Sequence, residues 1–316
     1  MSPLLNRARA ALWPPFTEFW GLSIGAQEIV ACQLRRQAGT WQVATVNAET
    51  TPLCIYKEAP AADAVQQLAP VISRVAAGVA GKCIPLSVVI PDPAVSMAIL
   101  ELDTLPKTAA DREALARWHL QKVGSPNTTL ACVAQDLGMS DGKHLLLASA
   151  VSRVWLDGLL GACHAANVVP TLWQSAIAYR YNRFQEQLLR KGQDGALLTI
   201  DSASWALLLW DQSGRARHLR SRWRGPASGN EAETIAVEAE RAVRAYAHGG
   251  RGRRLGTVHF IGESDVANRV AALLEARMQN ACARLSPLSG MEMADGVSLA
   301  SADAALAITA ALENEG

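Results

Sequence analysis

The 316-residue sequence contains no apolar run approaching the ~18–20 residues that a bilayer-spanning helix needs. It has no signal-peptide core either: after Arg7 and Arg9 the stretch Ala10-Ala11-Leu12-Trp13 is cut off by Pro14, Pro15 and Glu18. A soluble, cytoplasmic protein is expected, brought to any membrane only by recruitment. None of the six cysteines (Cys32, Cys54, Cys83, Cys132, Cys163, Cys282) forms a CxxC pair. None has a histidine at zinc-ligand spacing; His164 directly follows Cys163, which is no such spacing. Lone cysteines of this kind read as small core hydrophobes in a reducing compartment. Charge of one sign is not in excess: 30 Lys and Arg against 29 Asp and Glu give a net charge of +1. Nothing global therefore points to nucleic acid or an anionic surface. No Ser-His-Asp order is present. Asp111 and Glu113 stand two apart on a predicted helix and do not face each other. No hydrolase or metal centre is expected from these residues.

Half of the residues are hydrophobic, enough for a large core, and the length suits two domains at roughly 100–200 residues each. Tryptophan is over-used, nine against four phenylalanines. Trp155 and Trp173 lie in apolar contexts and read as core, whereas Trp13 and Trp20 flank Pro14-Pro15 at the end of a flexible arm, residues 1–19. Arg215, Arg217, Arg220, Arg222 and Arg224 alternate along one segment and read as one solvated sheet face. Arg251, Arg253 and Arg254 read as a polar loop.

The order of elements is more informative. Residues 21–25, 28–34 and 41–46 form a three-stranded meander with a turn at Gln37-Ala38-Gly39-Thr40. A helix over 61–80 carries Val65, Leu68, Ile72, Val75 and Val79, with Pro70 interrupting its first half. Strands are expected at 86–90, 97–102, 130–135 and 144–150. Between them, Thr108 caps a helix with Asp111 three residues on and Leu115, Trp118 and Lys122 along one stripe. Ser152 is expected to cap a helix ending near Asn167, and an amphipathic helix follows over 175–190 through Ile177, Tyr181, Phe184 and Leu188. The opening meander then recurs at 195–200, 205–210 and 217–223, with Asp211-Gln212-Ser213-Gly214 as its turn. Asn230 with Glu233, Ser264 and Ser301 cap three further helices.

Two meanders, each followed by α/β segments, form an α/β fold of two similar halves around a cleft, the layout of the actin, Hsp70 and sugar-kinase class. There the first turn of each meander is a phosphate loop. Glycine lets the backbone approach a phosphate, exposed N–H groups make an anion nest, and a neighbouring carboxylate positions Mg²⁺. Laid on that pattern, Ser23-Ile24-Gly25 keeps the glycine of an Asp-x-Gly loop and lacks its carboxylate. Asp201-Ser202-Ala203-Ser204 keeps the carboxylate, the one candidate metal ligand, and lacks the glycine. Ile261-Gly262-Glu263-Ser264 has one glycine where two are usual and adds a negative charge. The candidate nucleotide residues are thus Ser23, Gly25, Asp201, Ser202, Ser204, Gly262 and Glu263, in a degenerate site where ATP and Mg²⁺ are doubtful cofactors and efficient phosphoryl transfer is not expected.

From about Trp20 to Leu312 the sequence resembles the PilM family of type IV pilus assembly proteins, and through it FtsA-like, GspL-like and MshI-like proteins. Gly21-Leu22-Ser23-Ile24-Gly25 resembles the family's opening phosphate strand. The most specific likeness is Val88-Val89-Ile90-Pro91-Asp92-Pro93-Ala94-Val95 with Ile99-Leu100-Glu101-Leu102 and Leu105-Pro106-Lys107, which resembles the approach to an inserted subdomain. Ala148 to Trp155 and Ala165-Ala166-Asn167-Val168-Val169-Pro170 resemble the return from it, and Ala302 to Leu312 a closing helix.

The resemblance implies an actin-like first subdomain at 20–90 with 171–195, a small inserted α+β subdomain at 91–170, and a second actin-like subdomain at 196–316. It implies a cytoplasmic scaffold at the inner face of the inner membrane, binding the cytoplasmic N-terminal peptide of a PilN-like bitopic membrane protein. Pilus motor or platform proteins are further implied partners. The inserted subdomain is the expected grip, with Trp118 a candidate pocket wall or, more simply, a core residue. An active ATP-dependent switch of the same fold and a GspL- or MshI-type component are the alternatives, with a small-molecule kinase behind them.

Overall fold

The computed structural model describes residues 17–37, 39–51, 65, 67–82, 84–123, 129–224, 230–248, 255–262, 264–278, 282–289, 291–294, 297 and 301–312. Strands β1 (Glu18–Ile24), β2 (Glu28–Gln37) and β3 (Thr40–Thr50) form an antiparallel meander. β4 (Leu86–Ile90) then lies parallel to β1, and β8 (Leu172–Ser175) parallel to β4. The second half repeats this. β9 (Asp194–Ile200), β10 (Ser204–Trp210) and β11 (Ala216–Trp223) make the meander, with β12 (Leu255–Ile261) parallel to β9 and β13 (Cys282–Arg284) parallel to β12. The sheet orders β3-β2-β1-β4-β8 and β11-β10-β9-β12-β13 are the same topology.

The strands follow from their sequences. β4 and β10 are buried at every position, and β1 and β9 at all but their first, so they read as continuous apolar runs covered on both faces. Leu22, Ile24 and Ile29 are wholly removed from water, roughly 1.5–3 kcal/mol of burial apiece. Trp20 belongs to this core, fully paired in β1 with its N–H on the Pro85 carbonyl. Phe19 is buried too, its ring 5.1 Å from that of Trp41. Glu18 and Phe19, expected in the arm, are therefore part of the first core strand, as is Trp20; residues 1–16, with Trp13, lie outside the described residues.

Helices α1 (Ala69–Val75) and α3 (Arg153–Ala165) pack together on the first sheet, as α5 (Glu231–His248) and α6 (Asp265–Met278) do on the second. Pro70 stands in the first turn of α1, where its missing N–H costs nothing. Asn167, at φ +57°, ends α3 as expected, with the Val168 N–H on the Cys163 carbonyl. Among the described residues Ser152 makes no side-chain cap bond; it is the last residue of the strand Lys143–Ser152 instead.

Between β4 and α3 lies the inserted subdomain: β5 (Ser96–Leu102), α2 (Ala109–Val123), β6 (Leu130–Ser140) and β7 (Lys143–Ser152), in the order β5-β7-β6. Thr108 caps α2, accepting the Asp111 N–H at 3.1 Å. The insertion has its own core of Leu100, Ala116, Leu120, Cys132 and Leu146. It ends at β7, short of residue 170, because Trp155, Leu159, Ala162 and Cys163 of α3 are buried in the core of the first half.

Two helices cross between the halves. α4 (Ala176–Leu189) follows the first sheet but packs Ile177, Phe184 and Leu188 on Leu197, Leu208 and Trp210 of the second. α7 (Ala302–Leu312) follows the second sheet but packs Ala304, Ala307, Ile308 and Ala311 on Phe19, Val30 and Cys32 of the first. β14 (Glu292–Met293) likewise joins β3 of the first sheet. The boundaries expected at 171–195 and 196–316 thus divide sequence rather than packing. Where α7 crosses β1 a Cβ at Gly21 would overlap the Ala307 carbonyl, so both the glycine and the alanine-rich helix are needed for this approach.

Candidate functional site

α4 and α7 meet over the ends of β1 and β9, where Ala176 and Tyr179 pack on Leu306 and Ala310. Each crossing helix brings a charged side chain to the first loop of the half it covers. From α4, Arg180 donates through Nη1 to Asp201 Oδ2 at 2.9 Å and through Nη2 to Oδ1 at 2.5 Å. From α7, Asp303 accepts the Ser23 hydroxyl at 3.5 Å. Asp92, in the short 3-10 turn Asp92–Ala94 after β4, caps α4 by accepting the Ile177 N–H at 2.8 Å.

All four charged groups are buried. Burial opposes the charge of Arg180, but Asp201 outweighs it and holds the guanidinium above its usual range. Burial raises Asp92 to about 7, against the Ile177 N–H and with the charge of Asp201 adding to the shift. Burial also raises Asp303 to about 7, helped by the charges of Asp201 and Glu28 and opposed by Arg180 and Ser23.

The loops are equivalent in a way their motifs do not suggest. The Gly25 N–H donates to the Glu28 carbonyl at 2.9 Å, and the Asp201 N–H to the Ser204 carbonyl at 2.8 Å. Both follow the last strand residue, Ile24 or Ile200, which pairs with the second residue of the next strand, Ile29 or Trp205. Asp201 therefore matches Gly25, and the counterpart of Ser23 is Thr199, whose hydroxyl donates to the Ala206 carbonyl at 3.4 Å. Neither strand end carries a carboxylate at this position.

Of the expected nucleotide residues, Ser23, Asp201, Ser202 and Ser204 line one pocket with Ala26, Pro91, Ala203, Asp303 and Leu306. The space inside is about 10 Å³, room for one water. Gly25 is not open to a ligand, for a Cβ there would lie 2.5 Å from Asp303 Oδ2. Gly262 does not line this pocket and is packed beside the second loop: a Cβ would lie 2.9 Å from the Ala267 side chain and 3.0 Å from the Ile200 carbonyl. Its carbonyl accepts from Arg284. Glu263 lies outside the described residues. Arg224 donates to the carbonyls of Asp201, at 2.6 Å, and Ser202, at 3.1 Å, so the second loop turns acceptors toward a cation.

These residues do not fit ATP with Mg²⁺. Asp201, the expected metal ligand, has both oxygens on a guanidinium, and among the described residues no group of three or more His, Cys, Asp or Glu side chains is placed to hold a metal ion. Sequence reading missed Asp92, Arg180, Arg224 and Asp303. One signal was available: Arg180 falls three residues after Ile177 and four before Phe184, on the apolar stripe of α4.

Trp118 is not a core residue. It is 59% exposed on α2, with the Lys122 ammonium 5.2 Å from its ring centre. The arginines in and beside β11 do not share one solvated face, since odd and even positions along a strand point to opposite sides. Arg217, its side chain only 4% exposed, pairs with Glu101 at 2.8 Å and Asp141 at 3.3 Å of the insertion. Arg220 pairs with Glu238 of α5 at 2.6 Å, and Arg224 with Glu231 at 2.7 Å.

No protein-family model matches the chain, and no curated protein matches it in sequence. Solved structures do match. A chain of the PilM–PilN type IV pilus biogenesis complex superposes with a TM-score of 0.72 at 13% identity, covering 96% of this chain and 100% of that one. A Bacteroides thetaiotaomicron protein with an actin-like ATPase fold and unknown function gives 0.56 at 7% identity, covering 86% and 92%. The cytoplasmic domain of EpsL, an inner-membrane component of the Vibrio cholerae type II secretion system, gives 0.46 at 10% identity, covering 94% and 95%. The repeated sheets, the crossing helices and the first two of these superpositions together establish an actin-like fold.

Proposed function

We propose that the chain is a non-catalytic scaffold of a type IV pilus or related secretion or competence machine. It works at the cytoplasmic face of the inner membrane, grips the cytoplasmic N-terminal peptide of a PilN-like bitopic protein, and links it to motor or platform proteins. The observation that carries this reading is the correspondence along almost the whole chain with a structure of a PilM–PilN complex. The non-catalytic part is supported by the cleft. Phosphoryl transfer depends on positioning and metal electrostatics, and here a guanidinium holds the carboxylate that a metal would need. The grip is assigned to the inserted subdomain, where Trp118 stands exposed and aromatic anchors of this kind dominate peptide binding. Among the described residues no helix is long and apolar enough to cross a membrane.

The test is a fluorescence-anisotropy titration of the cytoplasmic peptide of a bitopic protein encoded beside this chain. Saturable binding is expected, weakened about tenfold, or about 1.4 kcal/mol, by Trp118→Ala. No binding to the full chain would overturn the partner. Phosphate release from Mg-ATP should stay well below about 1 s⁻¹; turnover at that rate, abolished by Asp201→Ala, would overturn the scaffold.

A further inference from the structure

The cleft cluster has an unbalanced composition. Three carboxyl groups, Asp92, Asp201 and Asp303, are buried around the guanidinium of Arg180, and both terminal nitrogens of Arg180 are spent on Asp201. Asp92 is fully buried, and among the described residues its Oδ2 has no hydrogen-bond partner. Asp303 has the Ser23 hydroxyl at 3.5 Å as its side-chain bond. An ionised carboxylate in such a position costs more than binding a proton.

The cluster also spans the halves. Asp201 belongs to the β9–β10 loop of the second, Asp303 rides on α7 over the first, and the turn of Asp92 packs against β10 and β11. Arg180 and the Ile177 N–H that Asp92 caps both belong to α4, which bridges the two. Among the described residues, the charged groups facing Asp92 are Asp201 and Arg180, and those facing Asp303 are Asp201, Glu28 and Arg180.

We propose that Asp92, Arg180, Asp201 and Asp303 form a proton-linked latch, in which protons on the Asp92 and Asp303 carboxyls hold the two halves closed where a nucleotide would otherwise bridge them. The inference rests on the reading of the cleft as filled by side chains and is independent of the pilus partner.

The sign follows from the environments. In the closed cleft both carboxyls titrate near 7, raised by burial from a reference of 3.8. Once opened to water they titrate near 4. Opening therefore releases protons between about pH 4 and 7, and raising the pH through that window favours the open cleft by up to about tenfold per pH unit per carboxyl. Above about 7 the dependence flattens.

Two measurements on the full chain test this. In a ¹³C NMR titration of labelled aspartate carboxyls, two resonances should titrate near pH 7, one lost in Asp92→Asn and the other in Asp303→Asn. Hydrogen exchange of residues 199–206, corrected for intrinsic rate, should speed up with pH below 7 and lose that dependence in the double variant. Wild-type aspartates that all titrate below about pH 5 would overturn the latch without any variant having to fold. Corrected exchange that does not vary with pH, or that varies equally in the double variant, would overturn it as well. Neither arm uses peptide or nucleotide, so failure here and failure of the scaffold reading are separate results.

Discussion

Gly25 and Asp201 occupy the same place in the two halves, each closing its loop by an N–H bond to the carbonyl three residues on, Glu28 and Ser204. What differs is the side chain that fills the loop from the helix above. At Gly25 the Asp303 carboxyl arrives from α7 and takes the room of a Cβ; at Asp201 the loop supplies its own carboxylate, and Arg180 arrives from α4 to meet it.

This equivalence changes what a repaired motif would do. Ser23→Asp with Ala203→Gly restores two Asp-x-Gly strings on paper, but Ala203 is not the counterpart of Gly25, and Arg180 still holds Asp201. The repaired chain should bind Mg-ATP no better than the wild type by calorimetric titration. A clear gain in affinity would mean that the cleft keeps its nucleotide geometry.

The Arg180–Asp201 pair should be costly to break on one side. Arg180→Ala leaves a buried carboxylate uncompensated and is expected to cost about 3–5 kcal/mol of stability. Arg180→Met with Asp201→Leu removes both charges and should cost much less. Urea unfolding of the two variants checks this, and a single-variant loss below about 1 kcal/mol would place the pair in a solvated site.

The glycines of β1 and of the β6–β7 turn should separate space from conformation. Gly21→Ala drives a Cβ into the backbone of α7 and is expected to cost about 3 kcal/mol or more. Gly142, at φ +77°, has nothing among the described residues within 4 Å of its missing Cβ, so Gly142→Ala should cost only about 1 kcal/mol of backbone strain. Thermal denaturation of both variants side by side makes the comparison.

Much of the fold was legible because its strands announce themselves. Leu86 to Ile90, Gly195 to Ile200 and Trp205 to Trp210 are continuous apolar runs, and the meander repeats in the same order. The cleft was legible only in outline. Ser23 and Asp201 were found because a motif pointed to them, but the motif aligned Asp201 with the wrong residue; strand pairing, which sequence does not print, decides the register. Asp92 reads as a turn residue between two prolines, and Asp303 as an ordinary first-turn acid of a helix. Their meaning comes from partners 85 and 280 positions away. Trp20 was misplaced for a related reason: adjacent prolines suggested an arm, while its burial depends on β4.

Cys32 and Cys163 should be inert in the folded protein. Burial drives the Cys32 thiol far up and pushes Cys163 up to about 12, so neither forms the thiolate that reacts. Alkylation at pH 8 followed by mass spectrometry should leave both unmodified until denaturant is added. Rapid modification of either one would show that its half opens readily.

The crossing of α4 and α7 sets a schedule for the growing chain. As residues leave the ribosome in order, β1 to β8 emerge before the helix that covers β1 and β2, and Gly21 waits for Ala307. A nascent first sheet therefore exposes an apolar face until α7 arrives. Such a surface invites chaperones or premature association during synthesis. The half that is made first is the half that is finished last.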